Sequence, residues 1–378
     1  MSFKDIKLGI LGGGQLGRML IQETLNIDVP TKVMDPDPNA PCKELATSFM
    51  VGDLNDEDLV YYFGKNLDVV TIEIENVSVP GLKRLEQEGV KVFPQSSVIE
   101  IVQDKGIQKE FYQKHNIPTA SFILVNDKKE TGDLNSSFPY VQKLRKGGYD
   151  GKGVQVIKSQ DDFEANAFDA PCVIEKAVDI DKEISVIVAR NEAGELAVYD
   201  PVEMEFNHEA NLVEFLFSPS SITEAQAEES KKIAVSVIEK LEMVGVLAVE
   251  LFLDKSGEIL VNEIAPRPHN SGHQTIENTH SSQYEQLMRI LLGLPLGDTE
   301  IISPAVMLNL LGEKGYMGNV KYQGISEAMA MSGVNIHLYG KSKTKPYRKM
   351  GHVTVIDKDL NAAKDKARRV QDVLKVVC

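Results

Sequence analysis

Apolar positions in this chain follow two rhythms, and the changes between them mark out the elements. Residues 6–11, IKLGIL, form a short unbroken apolar run that predicts a buried strand, with a glycine-rich turn and a helix to about Leu25 after it. TKVMD predicts the next strand, and further strands are expected at 48–51, 68–72 and 90–93, with helices near 55–65 and 79–88. Strands alternating with helices imply a parallel sheet covered on both faces. The pattern then stays helical from 96 to 115 and stops at Asn116-Ile117-Pro118. A smaller β-rich stretch follows, with strands near 121–125, 139–144, 153–157 and 172–175, and a new strand opens at 183–188. Residues 223–243 predict an amphipathic helix capped by Thr223, with Ala234, Val237, Ile238 and Leu241 inward. LAVELFL and EILVNEI, split by Asp254-Lys255-Ser256-Gly257, read as a hairpin. A helix at 281–292 ends at Gly293, and a last β/α segment from Ser303 closes with a helix near 360–375 that turns Ala363, Ala367, Val370 and Leu374 inward.

Composition narrows the class. The 378 residues suffice for two or three domains, and 42% hydrophobic with 26% charged content is that of a globular protein. A net charge of −15 argues against nucleic-acid or anionic-membrane binding. No apolar run reaches the roughly 18 residues of a membrane span. The three cysteines, Cys42, Cys172 and Cys378, show no metal-ligand spacing, which fits a reducing cytoplasm.

Candidate chemistry falls on the element ends. Gly12, Gly14 and Gly17 match G-x-G-x-x-G between a strand and a helix, with Asp35 where an acidic ribose ligand is expected after the second strand. Glu73 lies at the carboxyl end of a buried strand, where open α/β sheets take ligands; the same carboxylate could instead cap the next helix. GGYDGKG at 147–153, near Lys143, Arg145, Lys146 and Lys152, suits a loop over phosphates, or else a plain hairpin loop. Glu250 and Glu263 sit on the two hairpin strands. An even loop puts them on one face, where they need a cation between them; a three-residue loop without a bulge separates them as ordinary surface groups. Lys341, Lys343, Lys345, Arg348 and Lys349 form a basic run without an intervening acid.

Six ordered segments go further: GGGQLGRML at 12–20, TIEIENV at 71–77, GGYDGKG at 147–153, EISVIVAR at 183–190, NEIAPRPHNSGH at 262–273 and KMGHVTV at 349–355. Together they resemble the ATP-grasp superfamily and, within it, the 5-(carboxyamino)imidazole ribonucleotide synthase family of purine biosynthesis. The resemblance implies an α/β and α+β protein: a Rossmann-like preATP-grasp domain (1–100), a small β-rich lid (101–182), a larger α+β domain (183–300) and a C-terminal β/α subdomain (301–378). It implies an ATP- and Mg²⁺-dependent ligase that carboxylates the amine of 5-aminoimidazole ribonucleotide with bicarbonate, in a cytoplasmic homodimer.

By the same resemblance Lys105, Lys143 and the loop residues Gly148, Tyr149, Asp150, Gly151, Lys152 and Gly153 meet the nucleotide phosphates. Glu175, Lys176 and Val178 border the adenine, Glu183 takes the ribose, and His208 and Asn262 line the site. Glu250 and Glu263 hold the metal. Gly14, Gln15, Leu16 and Glu73 approach the ribonucleotide, with Asp150 at its aminoimidazole, and Arg267, Lys345 and Arg348 at its 5′-phosphate. Arg267 also serves bicarbonate, with His269, Asn270, Ser271 and His273 around it; Arg267, Asp150 and Lys345 are the expected catalytic set. Position 105 is often Arg in the family and is Lys here; Gln274 stands where Trp is frequent. A nicotinamide-dependent dehydrogenase explains the glycine fingerprint but leaves Glu250 and Glu263 idle. Another ATP-grasp ligase, such as a formate-dependent glycinamide ribonucleotide transformylase, keeps the nucleotide residues and changes the acceptor. A non-catalytic nucleotide sensor requires loss of a metal carboxylate, and both are present.

Overall fold

In the computed structural model, described for residues 3–134, 138–148, 153–207 and 212–378, the front of the chain forms a parallel sheet. Its strands run in the order Ser48–Val51, Thr31–Asp35, Leu8–Leu11, Val69–Ile72, Lys91–Phe93. The order reverses beside Leu8–Leu11, so the carboxyl ends of that strand and Val69–Ile72 open a crevice. The helix Gln15–Asn26 starts there.

The expected helix over 96–115 is two helices, Ser96–Val102 and Lys105–Lys114. Asp104 breaks it: its Oδ1 accepts from Gly106 N at 2.8 Å and caps the second helix, while Arg145 Nε donates to the same oxygen at 2.8 Å. A capping side chain competes with the backbone ladder, so the helix restarts at Asp104 rather than passing through it. The β-rich stretch that follows is an antiparallel sheet in the order Phe122–Val125, Cys172–Lys176, Tyr140–Leu144, Val154–Ile157.

Among the described residues the largest sheet has nine strands, all antiparallel, and runs from the hairpin Gly245–Asp254/Ile259–Ala265 through Ile180–Arg190 to Lys349–Ile356 and Val334–Leu338 at the far edge. The helix Glu224–Lys240 covers one face of its front half. Thr223 and Gln226 close its start as a reciprocal capping box. Ile233, Ala234, Val237 and Ile238 pack on Val186, Val188, Leu247 and Val249. Alternation sends Ala248 and Glu250 to the opposite face. Helix Leu360–Val373 covers the rear half, with Ala363, Ala367 and Val370 against Leu308, Val353 and Val355. Among the described residues no helix is long and apolar enough to cross a membrane.

The glycine loop is filled by the protein itself. Gly13 N donates to Asp35 Oδ2 and Gly17 N to Glu73 Oε2, each at 2.7 Å. Glu73 therefore caps the helix Gln15–Asn26; the helix after its own strand is capped by Ser78. Asp35, expected at a ribose, is committed to Gly13 and Asp37 amides. Gly12 has φ +99°, and a Cβ there would overlap Glu73 Cγ; a Cβ on Gly14 would overlap the Glu73 carboxylate. Crowding by protein raises the Glu73 carboxyl above its ordinary value, against the opposing pull of Gly17 N–H and Arg267.

Two outcomes follow from this packing. Gly12→Ala is expected to lower stability by about 2 kcal/mol, read from the urea midpoint, because it forces a positive φ on a side chain that also displaces Glu73. Glu73→Gln keeps the acceptor and removes the crowded charge. A raised folded pKa means that the native state holds its proton longer than the unfolded chain, so wild-type stability falls as pH rises above about 4.3. The variant is expected to match the wild type near pH 4 and to exceed it at pH 7; equal urea midpoints at both pH values would show that Glu73 is not destabilised in the fold.

Candidate functional site

The hairpin builds the centre of the site by a device that the sequence pattern does not reveal. Asp254 N donates to Glu258 O at 2.9 Å, which closes a three-residue loop of Lys255, Ser256 and Gly257. That register alone would set Glu250 across from Asn262 and turn Glu263 to the opposite face. A bulge intervenes. Leu251 pairs with Val261, but Glu250 pairs with Glu263, so Asn262 is the extra residue. Ser185 pairs with Glu250 on the other side, and a row Ser185–Glu250–Glu263 crosses three strands on the face away from helix Glu224–Lys240.

The two carboxylates titrate apart. Burial, then Glu263 and Glu183, push the Glu250 carboxyl up, with Lys349 and Lys105 pulling the other way. Lys105 holds Glu263 well below the ordinary carboxylate range through an ion pair of 2.6 Å. Glu250 is 15% exposed at its side chain and Glu263 44%, so the pair opens into a cleft. Two facing carboxylates form a hard-oxygen donor pair suited to a small divalent cation.

Around this pair stand the residues expected at a nucleotide. Lys143 Nζ donates to Asn262 Oδ1 at 2.8 Å and lies 2.9 Å from Glu175 Oε2. Lys109 Nζ lies 2.8 Å from the other Glu175 oxygen. Burial acts to raise the Glu175 carboxyl, but Lys143 and Lys109 together hold it below its usual range. Burial brings the Lys109 ammonium down to about 8, against the pull of Glu175. Glu183, two positions along the same face from Ser185, is half-buried, and that burial lifts its carboxyl to about 7. Lys176, at the end of the small-sheet strand Cys172–Lys176, is exposed, and Val178 just beyond it is half-buried. Gly148 and Gly153 lie at the base of the glycine-rich loop, with Leu144 N donating to Gly153 O at 2.8 Å. Tyr149, Asp150, Gly151, Lys152 and His208 lie outside the described residues.

The segment after the hairpin joins this cluster to the glycine loop. His269 Nε2 stands 3.5 Å from Glu250 Oε1, and its Nδ1 accepts from Ser271 N and meets Ser271 Oγ at 2.9 Å. Ser271 Oγ in turn meets Ser185 Oγ at 2.7 Å. Arg267 Nη2 pairs with Glu75 Oε1 at 2.8 Å, and the Arg267 charge reaches Glu73. Arg267 Nε is buried without a protein partner. Gln15 and Leu16 begin the capped helix beside Glu73.

Three residues expected around the substrate have side-chain partners within the protein. Asn270 and Asn309 exchange side-chain hydrogen bonds at 2.8 and 3.0 Å. Ser271 is 1% exposed and serves His269 and Ser185. His273, also 1% exposed, shares a hydrogen bond with Tyr284 OH through its Nδ1 at 3.0 Å and stacks on His352 with centroids 4.4 Å apart; burial drives its imidazole well below the ordinary value and keeps it neutral. Apolar and aromatic neighbours that lie far off in sequence cover these polar groups, so the density of hydrogen-bonding residues in PRPHNSGH marks a network as much as a binding surface. In the basic run Lys345 is exposed, while Arg348 Nη1 donates to Lys343 O at 2.6 Å and its carbonyl accepts from Gly312 N at 2.9 Å.

Sequence reasoning missed three members. Lys349 heads its strand close enough to act on both Glu250 and His273. It belonged to a run whose other members were easier to assign. Glu75, the partner of Arg267, lay in a quoted motif, where Glu73 drew the attention. Lys109 carried no local signal, because its partner Glu175 is 66 residues away.

Three family models match in order: a ribonucleotide synthetase preATP-grasp domain over residues 6–103, an ATP-grasp domain over 110–284, and a phosphoribosylaminoimidazole carboxylase C-terminal domain over 305–366. The chloroplastic phosphoribosylaminoimidazole carboxylase of Vigna aconitifolia is 38% identical over 366 residues, covering 95% of this chain; the chain spans only 65% of that relative's length. The crystal structure of the Thermotoga maritima N5-carboxyaminoimidazole ribonucleotide synthetase is 45% identical with a TM-score of 0.91, covering 98% of this chain and 99% of that one. An Aspergillus clavatus N5-carboxyaminoimidazole synthase in complex with ADP and 5-aminoimidazole ribonucleotide is 30% identical with a TM-score of 0.89, covering 98% of each chain. The domain order, the carboxylate row and these likenesses agree, and the chain belongs to the ATP-grasp ligases of the N5-carboxyaminoimidazole ribonucleotide synthase family.

Proposed function

We propose that the protein carboxylates the exocyclic amine of 5-aminoimidazole ribonucleotide with bicarbonate at the expense of ATP, as a step of purine biosynthesis. A bicarbonate oxygen attacks the γ-phosphorus, which leaves ADP and forms carboxyphosphate. The carboxyl carbon then passes to the amine, the C–O bond to phosphate breaks, and one proton leaves the nitrogen. The observation that carries this reading is the junction between two clusters. His269 touches Glu250 on the hairpin at 3.5 Å, while Arg267, two residues before it, reaches Glu75 and Glu73 in the crevice of the front sheet. One segment thus spans a phosphate-type site and a second substrate site. The Aspergillus clavatus relative, held with ADP and the ribonucleotide, supports the same pair of ligands.

The roles follow from position. Lys105 and Lys143 meet the nucleotide phosphates, and the base of the 147–153 loop stands over them. Glu183, its carboxyl lifted by burial, suits hydrogen bonds with ribose hydroxyls. Glu250 and Glu263 fit Mg²⁺: the Glu263 charge pushes the Glu250 carboxyl up, a repulsion that a shared dication would relieve, and that ion would supply charge neutralisation at the phosphates. Arg267 orients bicarbonate, with His269 held in place by Ser271. Lys345 and Arg348 hold the 5′-phosphate, and Asp150 the aminoimidazole. Glu73 acts on the ribonucleotide through the loop of Gly14, Gln15 and Leu16 that it braces. Phosphoryl transfer asks for this kind of positioning and charge placement rather than covalent catalysis. Carboxyphosphate reacts with water, so the glycine-rich loop has to exclude solvent.

A dehydrogenase is disfavoured on a specific ground: the fingerprint amides that would face a dinucleotide are taken by Asp35 and Glu73. The three cysteines are free, which supports a cytoplasmic protein. The strand Val334–Leu338, an edge of the large sheet with half-buried side chains, supports a homodimer as the working form.

The first test is ADP release with ATP, Mg²⁺ and bicarbonate. Stimulation by 5-aminoimidazole ribonucleotide that vanishes without bicarbonate is expected; release indifferent to the ribonucleotide would require a different acceptor. Glu263→Ala is expected to lower turnover at least about 100-fold with the circular dichroism spectrum unchanged. Lys345→Ala is expected to raise KM for the ribonucleotide about tenfold or more, with KM for ATP within about twofold, since a removed phosphate contact costs ground-state binding. Equal effects on both constants would take Lys345 out of the 5′-phosphate site.

A further inference from the structure

Lys109 has no part in the reading above, yet it is one of the most deeply buried charges in the molecule. It is 3% exposed, on the helix Lys105–Lys114 one turn beyond Lys105. Its Nζ meets Glu175 Oε1 at 2.8 Å and donates to Thr119 Oγ1 at 2.5 Å, and Thr119 Oγ1 donates onward to Val261 O at 2.7 Å. Val261 immediately precedes the bulge residue Asn262, which receives Lys143. The chain of contacts is closed: Thr119 and Val261 on one side, Glu175 on the other, Lys109 and Lys143 between them. Glu175 is itself 3% exposed, and its two oxygens go to different lysines.

The charges decide what this arrangement does. Lys105 is matched by Glu263. Glu175 faces two ammonium groups, Lys109 and Lys143, so the three together keep one net positive charge, and Lys143, next to Asn262 and the cleft, is the end at which it can act. An ammonium has three donors; Lys143 commits two, to Glu175 and Asn262. Without Lys109 the full charge of Glu175 would fall on Lys143 in a medium where water screens little. The pair would then be neutral, and Lys143 would bring no net charge to the phosphates.

We propose that Lys109 is a positioning residue for nucleotide phosphate binding: by satisfying one oxygen of Glu175, it keeps the charge of Lys143 available to the phosphates. The inference rests on the reading that Lys143 contacts those phosphates. The role is one of charge balance and is separable from support of the fold. Adenosine, which carries no phosphate, does not sense it.

The test is direct binding of ATP and of adenosine to the full chain in Mg²⁺ buffer by titration calorimetry. Lys109→Met is expected to weaken ATP about tenfold or more while adenosine stays within about twofold. The double variant Lys109→Met/Glu175→Gln restores the net positive charge and leaves no unpaired buried anion, so it also guards against misfolding. Against Glu175→Gln alone, which carries any loss at the adenine, it is expected to bind ATP within about threefold. Equal weakening of ATP and adenosine by Lys109→Met would make Lys109 structural only. A folded double variant that binds ATP about tenfold or more weakly than Glu175→Gln alone would overturn the charge argument. Lys143→Met separates the two levels: if it leaves ATP binding unchanged, the phosphate role of Lys143 fails; if it weakens ATP while Lys109→Met does not, only the role of Lys109 fails.

Discussion

Two carboxylates forced to face each other across a strand pair impose the central constraint. Glu250 and Glu263 repel, and the fold does not relieve them by turning one to solvent on the far face; the bulge at Asn262 brings them together. Such a pair is destabilising in the absence of cations. The surroundings answer it with Lys105 on Glu263, His269 near Glu250, and the charge of Lys349 acting from the C-terminal segment. Each of these comes from a different part of the chain. The geometry of the helix Lys105–Lys114, the hairpin and the strand Lys349–Ile356 is thereby tied to one electrostatic problem, which a dication and a triphosphate would finish solving. Strain of this sort costs stability and is retained where binding exploits it.

The front sheet shows the same economy of charge in reverse. A glycine loop at a helix N-terminus offers amides to an anion. Here the anions are internal: Glu73 and Asp35 take the Gly17 and Gly13 amides. The loop keeps the shape of a dinucleotide turn while its phosphate-binding capacity is spent on holding Glu73, and Glu73 in turn sits within the field of Arg267. Any ligand at this crevice meets a braced loop and a half-buried carboxyl rather than a row of open amides.

Much of the fold was legible because it is local. Strand and helix periods located the elements of the front sheet and the Thr223 cap, and even the break at Asp104 lay in the residue type, although the apolar pattern ran straight through it. The bulge was not legible. Loop length and side-chain alternation gave two registers for Glu250 and Glu263, and the choice between them lies in how Asn262 is accommodated between strands, a tertiary matter. The same limit explains PRPHNSGH. Its polar residues announced a site, but only the tertiary packing shows that Asn270 bonds Asn309 and that His273 lies between Tyr284 and His352.

A site assembled from such distant pieces works only if the pieces keep their spacing, and paired polar groups hold it alongside the apolar packing of Tyr112 and Ile117 on Val249 and Val261. Helix Lys105–Lys114 bonds the small sheet through Lys109 to Glu175 and Arg145 to Asp104, while its neighbour Thr119 bridges to Val261 on the hairpin. These bonds sit at the seam between the small and large sheets, where the nucleotide residues also gather. An apolar seam would tolerate sliding. A seam of paired charges has few low-energy arrangements, because any slip leaves a buried charge without its partner. The groups proposed to meet the phosphates therefore also fix the register between the sheets, which is why binding and structural residues of this region cannot be told apart by burial alone.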